Sequence, residues 1–214
     1  MRIKWHYWLI ILTVIGFLVY LSWIKFYFER KPHRDIPHDE NVFVSPANGI
    51  VGAVKHWDAD SLIITKEENG AVKVFTDEIG ESGWFISIIM NIDNVHVQRA
   101  PIKSTFIKNI HREGEFESAI VMTNEYGVRF ENENNTMLFK TYRGDLYKVI
   151  QIAGFRARRI INYLDPNSPV EQGDEIGMIT LGSQVTVILP ENVIPLVKEG
   201  DELIDGETLI ARYK

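Results

Sequence analysis

The chain has 214 residues, 45% of them apolar, and a formal charge of −6. That is enough for one ordinary domain with a sizeable core, which excludes both disorder and a stapled mini-protein. No cysteine is present, so disulfide frameworks, thiolate metal sites and a cysteine nucleophile are excluded too.

The charge is unevenly placed. Residues 1–34 carry six Lys/Arg and one Glu, net +5, while residues 35–214 carry 17 and 28, net −11. So acidic a body argues against general nucleic-acid binding. Within the basic piece, Trp5 to Ile24 reads WHYWLIILTVIGFLVYLSWI, 20 residues without a charge. At about 1.5 Å per residue this run spans a hydrocarbon core of about 30 Å. Trp5, Tyr7 and Trp8 at one end and Tyr20, Trp23 and Tyr27 at the other fit interfacial aromatic belts. A cleaved signal peptide would end in small residues, and bulky Lys25-Phe26-Tyr27-Phe28-Glu29-Arg30 follows instead. The expectation is a membrane anchor over 1–34, with a single-pass helix over about 5–27. Arg2 and Lys4 flank its start, and Lys25, Arg30, Lys31 and Arg34 its end, which favours a cytoplasmic body.

A polar linker, KPHRDIPHDEN, leads into the body, residues 35–214. Strands are expected at Val42–Val44, Gly49–His56, Leu62–Lys66, Val72–Thr76, Trp84–Met90, Thr105–His111, Val128–Phe130, Met137–Thr141, Leu146–Ile152 and Val185–Leu189. These are β-branched or aromatic runs punctuated by Gly, Asn, Asp and Pro. Only Phe155–Leu164 reads as helical. The class is mainly β, a barrel or sandwich. Glu171–Gly177, EQGDEIG, is echoed by Glu199–Gly206, EGDELIDG, each a Gly-Asp turn leading to a short strand. Such hairpins resemble those of barrel-sandwich domains of the lipoyl and biotinyl type, without the lysine those domains modify.

Six histidines occur, none at metal-site spacing. His56 and His111 read as surface residues. No phosphate loop, nucleophile elbow or dinucleotide fingerprint is present. Two segments stand out. Asn91–Pro101, NIDNVHVQRAP, places imidazole and guanidinium three apart, at His96 and Arg99, after an apolar strand. These could supply a proton donor and an anion contact, or be an ordinary strand-end loop. Thr180-Leu181-Gly182-Ser183-Gln184 sets a hydroxyl after glycine, where the backbone can bring it to its own preceding carbonyl; a simple turn is the alternative.

Taken in order, these segments resemble the short-form phosphatidylserine decarboxylase family. Phe26–Pro32 is similar to F-F-R-D-P, Ser45–Gly49 to S-P-A-D-G, and Val95–Pro101 to H-V-N-R-A-P. Glu131–Asn135 resembles E-N-E-R-N, Val149–Ile160 resembles V-Q-I-A-G-x-x-A-R-R-I, and Leu181-Gly182-Ser183 matches the Gly-Ser processing site. The resemblance implies self-cleavage between Gly182 and Ser183. The Ser183 hydroxyl would attack the Gly182 carbonyl, and residue 183 would become a covalent pyruvoyl group heading residues 183–214. That group would take the amine of phosphatidylserine and act as electron sink while CO₂ leaves, giving phosphatidylethanolamine without a metal or pyridoxal phosphate.

By the same resemblance, His96 and Asn48 join Ser183 and Gly182 as catalytic residues. Arg99, Asn132, Glu133, Arg156 and Arg159 would bind substrate. For the cluster of Arg156, Arg158 and Arg159, a solvated face is the plain alternative. Three positions depart from the family pattern: Asn48 stands for Asp, Arg99 for the second His of long forms, and Asn134 for Arg. The implied partners are the bilayer, its phospholipid and the two cleaved chains for one another, with a homodimer left open. Archaetidylserine as substrate, an unprocessed paralogue and a membrane-anchored adaptor without catalysis are the alternatives.

Overall fold

A computed structural model of the chain describes residues 5–58, 75–114, 131–154, 159–180 and 183–214. The first element is helix α1, Trp5–Phe28, 24 residues long. Along its described length its large apolar side chains are exposed, from Trp5 to Phe26. Among the described residues no helix is long and apolar enough to cross a membrane.

The body is built from short strands: β1 Val42–Val44, β2 Gly49–Asp58, β3 Ser82–Met90, β4 Val97–Arg99, β5 Ser104–Arg112, β6 Asn134–Thr141 and β7 Leu146–Ala153. After them come β8 Arg159–Asn162, β9 Pro169–Val170, β10 Glu175–Thr180, β11 Ser183–Pro190, β12 Val193–Pro195, β13 Glu202–Leu203 and β14 Leu209–Tyr213. Eight of them form one sheet in the order β13-β2-β3-β11-β7-β6-β5-β9. Two three-stranded sheets, β1-β14-β12 and β4-β10-β8, accompany it.

Alternation along the strands explains why the large sheet is apolar on both faces. Met90, Met137, Phe139, Tyr147, Val149, Val185, Val187 and Leu189 turn into the main core, which the small sheets help close. Phe85, Leu138, Ile150, Ile152 and Ile188 turn the other way, into a second cluster with Trp57 and Phe75. Strand β11 lies between β3 and β7 and is buried over its whole length. Burying one large apolar side chain contributes about 1.5–3 kcal/mol, so this central strand holds the sheet together.

Most expected strands form. Two expectations change. Arg159–Asn162, expected in a helix, is strand β8, with Ile161 opposite Met178 and Ile160 opposite Ile179. The edge of β10 supplies backbone partners there, and the β-branched pair Ile160-Ile161 suits a pleated surface better than a helix. Phe75 and Thr76, expected at the end of a strand, form a helical turn. The polar linker packs on the body: Pro32, Arg34 and Ile36 alternate as half-buried residues, and Asp39 N–H donates to Gln172 Oε1 at 2.9 Å. Expected strands Leu62–Lys66 and Val128–Phe130 lie outside the described residues, as do 72–74 and 155–158.

The sequence echo is a structural repeat. Gly173 and Gly200 take φ of +87° and +89°, a left-handed conformation that costs glycine little. In each turn the following aspartate accepts a backbone N–H three residues back, Glu171 N to Asp174 Oδ2 at 2.8 Å and Lys198 N to Asp201 Oδ2 at 2.9 Å.

Candidate active site

The chain changes sheet between β10 and β11. Strand β10 belongs to a small sheet and ends at Thr180, and β11 enters the large sheet at Ser183. Register then fixes the serine's surroundings. Ser183 lies opposite Met90 of β3 on one side and Ala153 of β7 on the other. It is fully buried, and its Oγ sits 3.3 Å from Met90 Sδ. Gly182 itself lies outside the described residues.

His96 reaches the same end of the sheet from the loop after β3. Its carbonyl accepts Ile179 N–H at 3.1 Å, which sets it against the end of β10. Its Nδ1 lies 2.8 Å from the Asn94 carbonyl. A carbonyl only accepts, so Nδ1 carries the proton and the neutral ring presents Nε2 as its acceptor nitrogen. Burial pushes the imidazole below its ordinary value, and the nearby Arg30 charge pushes the same way, against the Asn94 bond.

Asn132 and Glu133 come to this end as well. Asn132 Nδ2 donates to the Ala153 carbonyl at 2.6 Å, and Ala153 N–H donates to the Glu133 carbonyl at 2.9 Å. The Glu133 carboxylate pairs with His111 at 3.1 Å. His111 and His56 are exposed, as expected, and His56 lies 2.6 Å from Glu191.

Asn48 and Arg99 occupy a neighbouring cluster. Asn48 Oδ1 accepts Asp205 N–H at 2.7 Å and an Arg34 N–H at 3.3 Å. The fully buried Asp205 carboxylate takes Arg34 at 2.5 Å and Arg99 Nε at 2.9 Å. Arg99 Nη1 also donates to the Gly173 carbonyl at 2.9 Å. The amide at position 48 is thus turned to the 205 turn, and Arg99 ties strand β4 to that turn. Arg159 starts β8 opposite Thr180, and Arg156 and Arg158 lie outside the described residues.

Sequence reasoning missed a chain of amides that runs from the surface at Asn109 to buried Asn135, Gln151 and Gln98. Asn109 Nδ2 donates to Asn135 Oδ1, Asn135 Nδ2 to Gln151 Oε1, and Gln151 Nε2 to Gln98 Oε1, at 2.8–2.9 Å. Gln98 Nε2 donates to the His96 carbonyl at 2.8 Å and lies 3.9 Å from Met90 Sδ. The chain therefore fixes the backbone of His96 next to the sulfur that touches Ser183. Gly177 leaves the room it needs, since a Cβ there would fall 2.7 Å from Gln151 Nε2. A signal existed: Gln151 has the inward parity of Tyr147, Val149 and Ala153, and a polar residue at core parity needs a partner. Among the described residues no group of three or more His, Asp or Glu is placed to hold a metal ion.

Comparison with known proteins identifies the family. A phosphatidylserine decarboxylase family model matches residues 22–211. A relative from Methanothermobacter thermautotrophicus, named as an archaetidylserine decarboxylase proenzyme, is 37% identical over 210 residues, 96% of this chain and 84% of its own. Phosphatidylserine decarboxylase proenzymes of Desulfotalea psychrophila and Pelobacter propionicus are each 35% identical, covering 87% and 90% of this chain and 78% of their own. With most of the chain matched, and its serine at the head of a central strand, the chain belongs to the phosphatidylserine decarboxylase family.

Proposed function

We propose that the chain is a self-processing decarboxylase of a serine phospholipid, converting it to the ethanolamine phospholipid and CO₂. Family membership makes it a lipid-acting carboxy-lyase. The observation that carries the rest is the position of Ser183, buried at the head of β11 against Met90 and Ala153.

Processing begins when Ser183 Oγ attacks the Gly182 carbonyl carbon. The C–N bond breaks as the acyl group moves to oxygen, and the hydroxyl proton passes to the leaving nitrogen. Elimination across the Cα–Cβ bond of residue 183 releases a chain ending in the Gly182 carboxylate. Water then replaces the nitrogen, ammonia leaves, and a pyruvoyl group heads residues 183–214. The surroundings suit such a group, because position 183 is gripped on both sides and faces the core instead of water. When formed, it supplies a carbonyl for the substrate amine and an electron sink for the electrons left by CO₂.

The chain's own residues handle protons and charge. A depressed imidazole is neutral at pH 7, so His96 Nε2 can take the Ser183 proton during processing and return one to carbon after decarboxylation. Asn132 and the Glu133 backbone hold the end of β7 beside position 183. Arg156 and Arg159 are candidates for further contacts with the substrate headgroup. Arg99, bonded to Asp205 and Gly173, is better suited to position the strand that follows His96. The cleaved chains stay together because 183–214 contributes β11, paired with β3 and β7.

The anchor belongs to this reading. Helix α1 presents large apolar side chains to its surroundings along its described length. Its apolar, exposed side chains support a helix seated in the bilayer that holds the substrate, with the body on the cytoplasmic side. Ester and ether lipids share the serine-phosphate headgroup, so archaetidylserine is the second substrate in view, as the name of the archaeal relative suggests.

Intact mass tests the proposal. The wild-type chain should yield fragments 1–182 and 183–214 with a pyruvoyl terminus, and release CO₂ from phosphatidylserine in detergent micelles. Ser183→Ala should stay whole and inactive. A wild-type chain that remains intact after prolonged incubation overturns the reading.

A further inference from the structure

We infer that the cavity at the body end of α1 receives the lipid's serine-phosphate headgroup before its amine moves on to position 183, with Arg30 and Lys31 meeting its two anionic groups and Glu29 its ammonium. This rests on the decarboxylase reading and adds the residues that select the substrate.

The cavity measures about 700 Å³ and is lined by Ser22, Phe26, Glu29, Arg30, Lys31 and Pro32. It lies where the apolar helix meets the charged start of the linker, so acyl chains can follow Phe26 while the headgroup stays among charges. Its wall is also tied to the catalytic loop. Arg30 donates to the Asp93 carbonyl through Nη2 and to the Tyr27 carbonyl through Nη1 at 2.7 Å. Its guanidinium lies 4.1 Å over the Tyr27 ring, and Tyr27 Oη donates to the same Asp93 carbonyl at 3.4 Å. Asp93 precedes His96 by three residues, and the Arg30 charge is felt at that imidazole. A headgroup held at Arg30 is therefore already beside the loop that carries His96.

Charge complementarity selects the occupant. A serine-phosphate headgroup carries a phosphate, a carboxylate and an ammonium, and the lining offers two cations and one carboxylate. Arginine has five N–H donors and two are taken by the backbone carbonyls, leaving donors for a phosphate or carboxylate. Lys31 is paired with Glu175 across the surface, an exposed contact that a bound anion can replace. The product has lost its carboxylate, so one cation is left unmatched and the ethanolamine lipid is held less well.

The test uses the full chain in detergent micelles, with Arg30→Gln, Lys31→Gln and Glu29→Gln, and Lys103→Gln as a surface-charge control. Self-cleavage by intact mass should be normal in all four. Arg30→Gln and Lys31→Gln should raise KM for phosphatidylserine about tenfold with little change in kcat, the scale of one charge-assisted hydrogen bond. Arg30→Lys should recover part of that loss, and Lys103→Gln should match the wild type. Unchanged KM in all variants of an active enzyme overturns the inference, as does a fall in kcat alone, which would make Arg30 a positioning residue for the loop. A second measurement does not need turnover: short-chain phosphatidylserine and phosphatidylethanolamine are titrated against the Ser183→Ala chain. Preference for the serine lipid that disappears with Arg30→Gln supports the site even if processing fails, and equal binding of both lipids overturns it.

Discussion

Asp205 offers the sharpest test of the cluster that holds the linker, the Asn48 loop and strand β4 together. Its carboxylate is fully buried between Arg34 at 2.5 Å and Arg99 at 2.9 Å, whose side chains are only 13% and 11% exposed. Asp205→Asn keeps the shape and the backbone N–H to Asn48 but removes the charge. It also turns an amide N–H₂ toward a guanidinium donor, where no hydrogen bond can form. Breaking a buried pair by neutralising one partner costs about 3–5 kcal/mol, because the remaining charge is left uncompensated. Here the arginines keep some solvent contact and other acceptors, among them the Gly173 carbonyl. The expected loss is therefore smaller, about 2–4 kcal/mol. For a body of this size that lowers Tm by about 5–15 °C. The assay is a thermal melt of the full chain in detergent in a Ser183→Ala background, which keeps the polypeptide in one piece. A double-mutant cycle with Arg34→Gln should show coupling of about 1–3 kcal/mol. A loss under about 1 kcal/mol, or strict additivity with Arg34→Gln, refutes the reasoning.

His96→Ala should abolish decarboxylation, with cleavage and CO₂ release measured separately; wild-type rates of both would make His96 a structural strand-end residue. The same histidine links stability to pH. Its folded value lies below the ordinary imidazole value, so the unfolded chain takes the proton first. Its contribution is present above about pH 6.5 and is lost as pH falls through the lower folded value. Urea midpoints of wild type and His96→Gln should converge on acidification, and a constant gap between pH 7 and pH 5 refutes this. Asn48→Asp should leave the cleavage time course unchanged, since a carboxylate accepts the same Asp205 N–H and gains a charge pair with Arg34. A clear acceleration would show that the missing carboxylate limits processing.

Much of this protein was legible in the order of its residues. The β-branched runs, the Gly-Asp turns and the apolar N-terminal helix follow from local rules of periodicity and backbone freedom. The family motifs lie at Ser45–Gly49, Val95–Pro101 and Leu181–Ser183, and such short patterns survive without any tertiary information. What no local rule could supply was partnership across the chain. Arg159–Asn162 became a strand because β10 lay alongside with an open edge, overriding a helical pattern. Gln98, Gln151 and Asn135 looked like ordinary polar residues until strand register put them on one inward face, where burial obliges each amide to find another. Arg99 stood three residues from His96 and invited a substrate role. Folding brought Asp205, 106 residues away, against it, and the desolvated carboxylate binds the guanidinium. Secondary structure is decided over a few residues, whereas the satisfaction of buried charge and hydrogen bonds is decided by whatever the fold sets opposite.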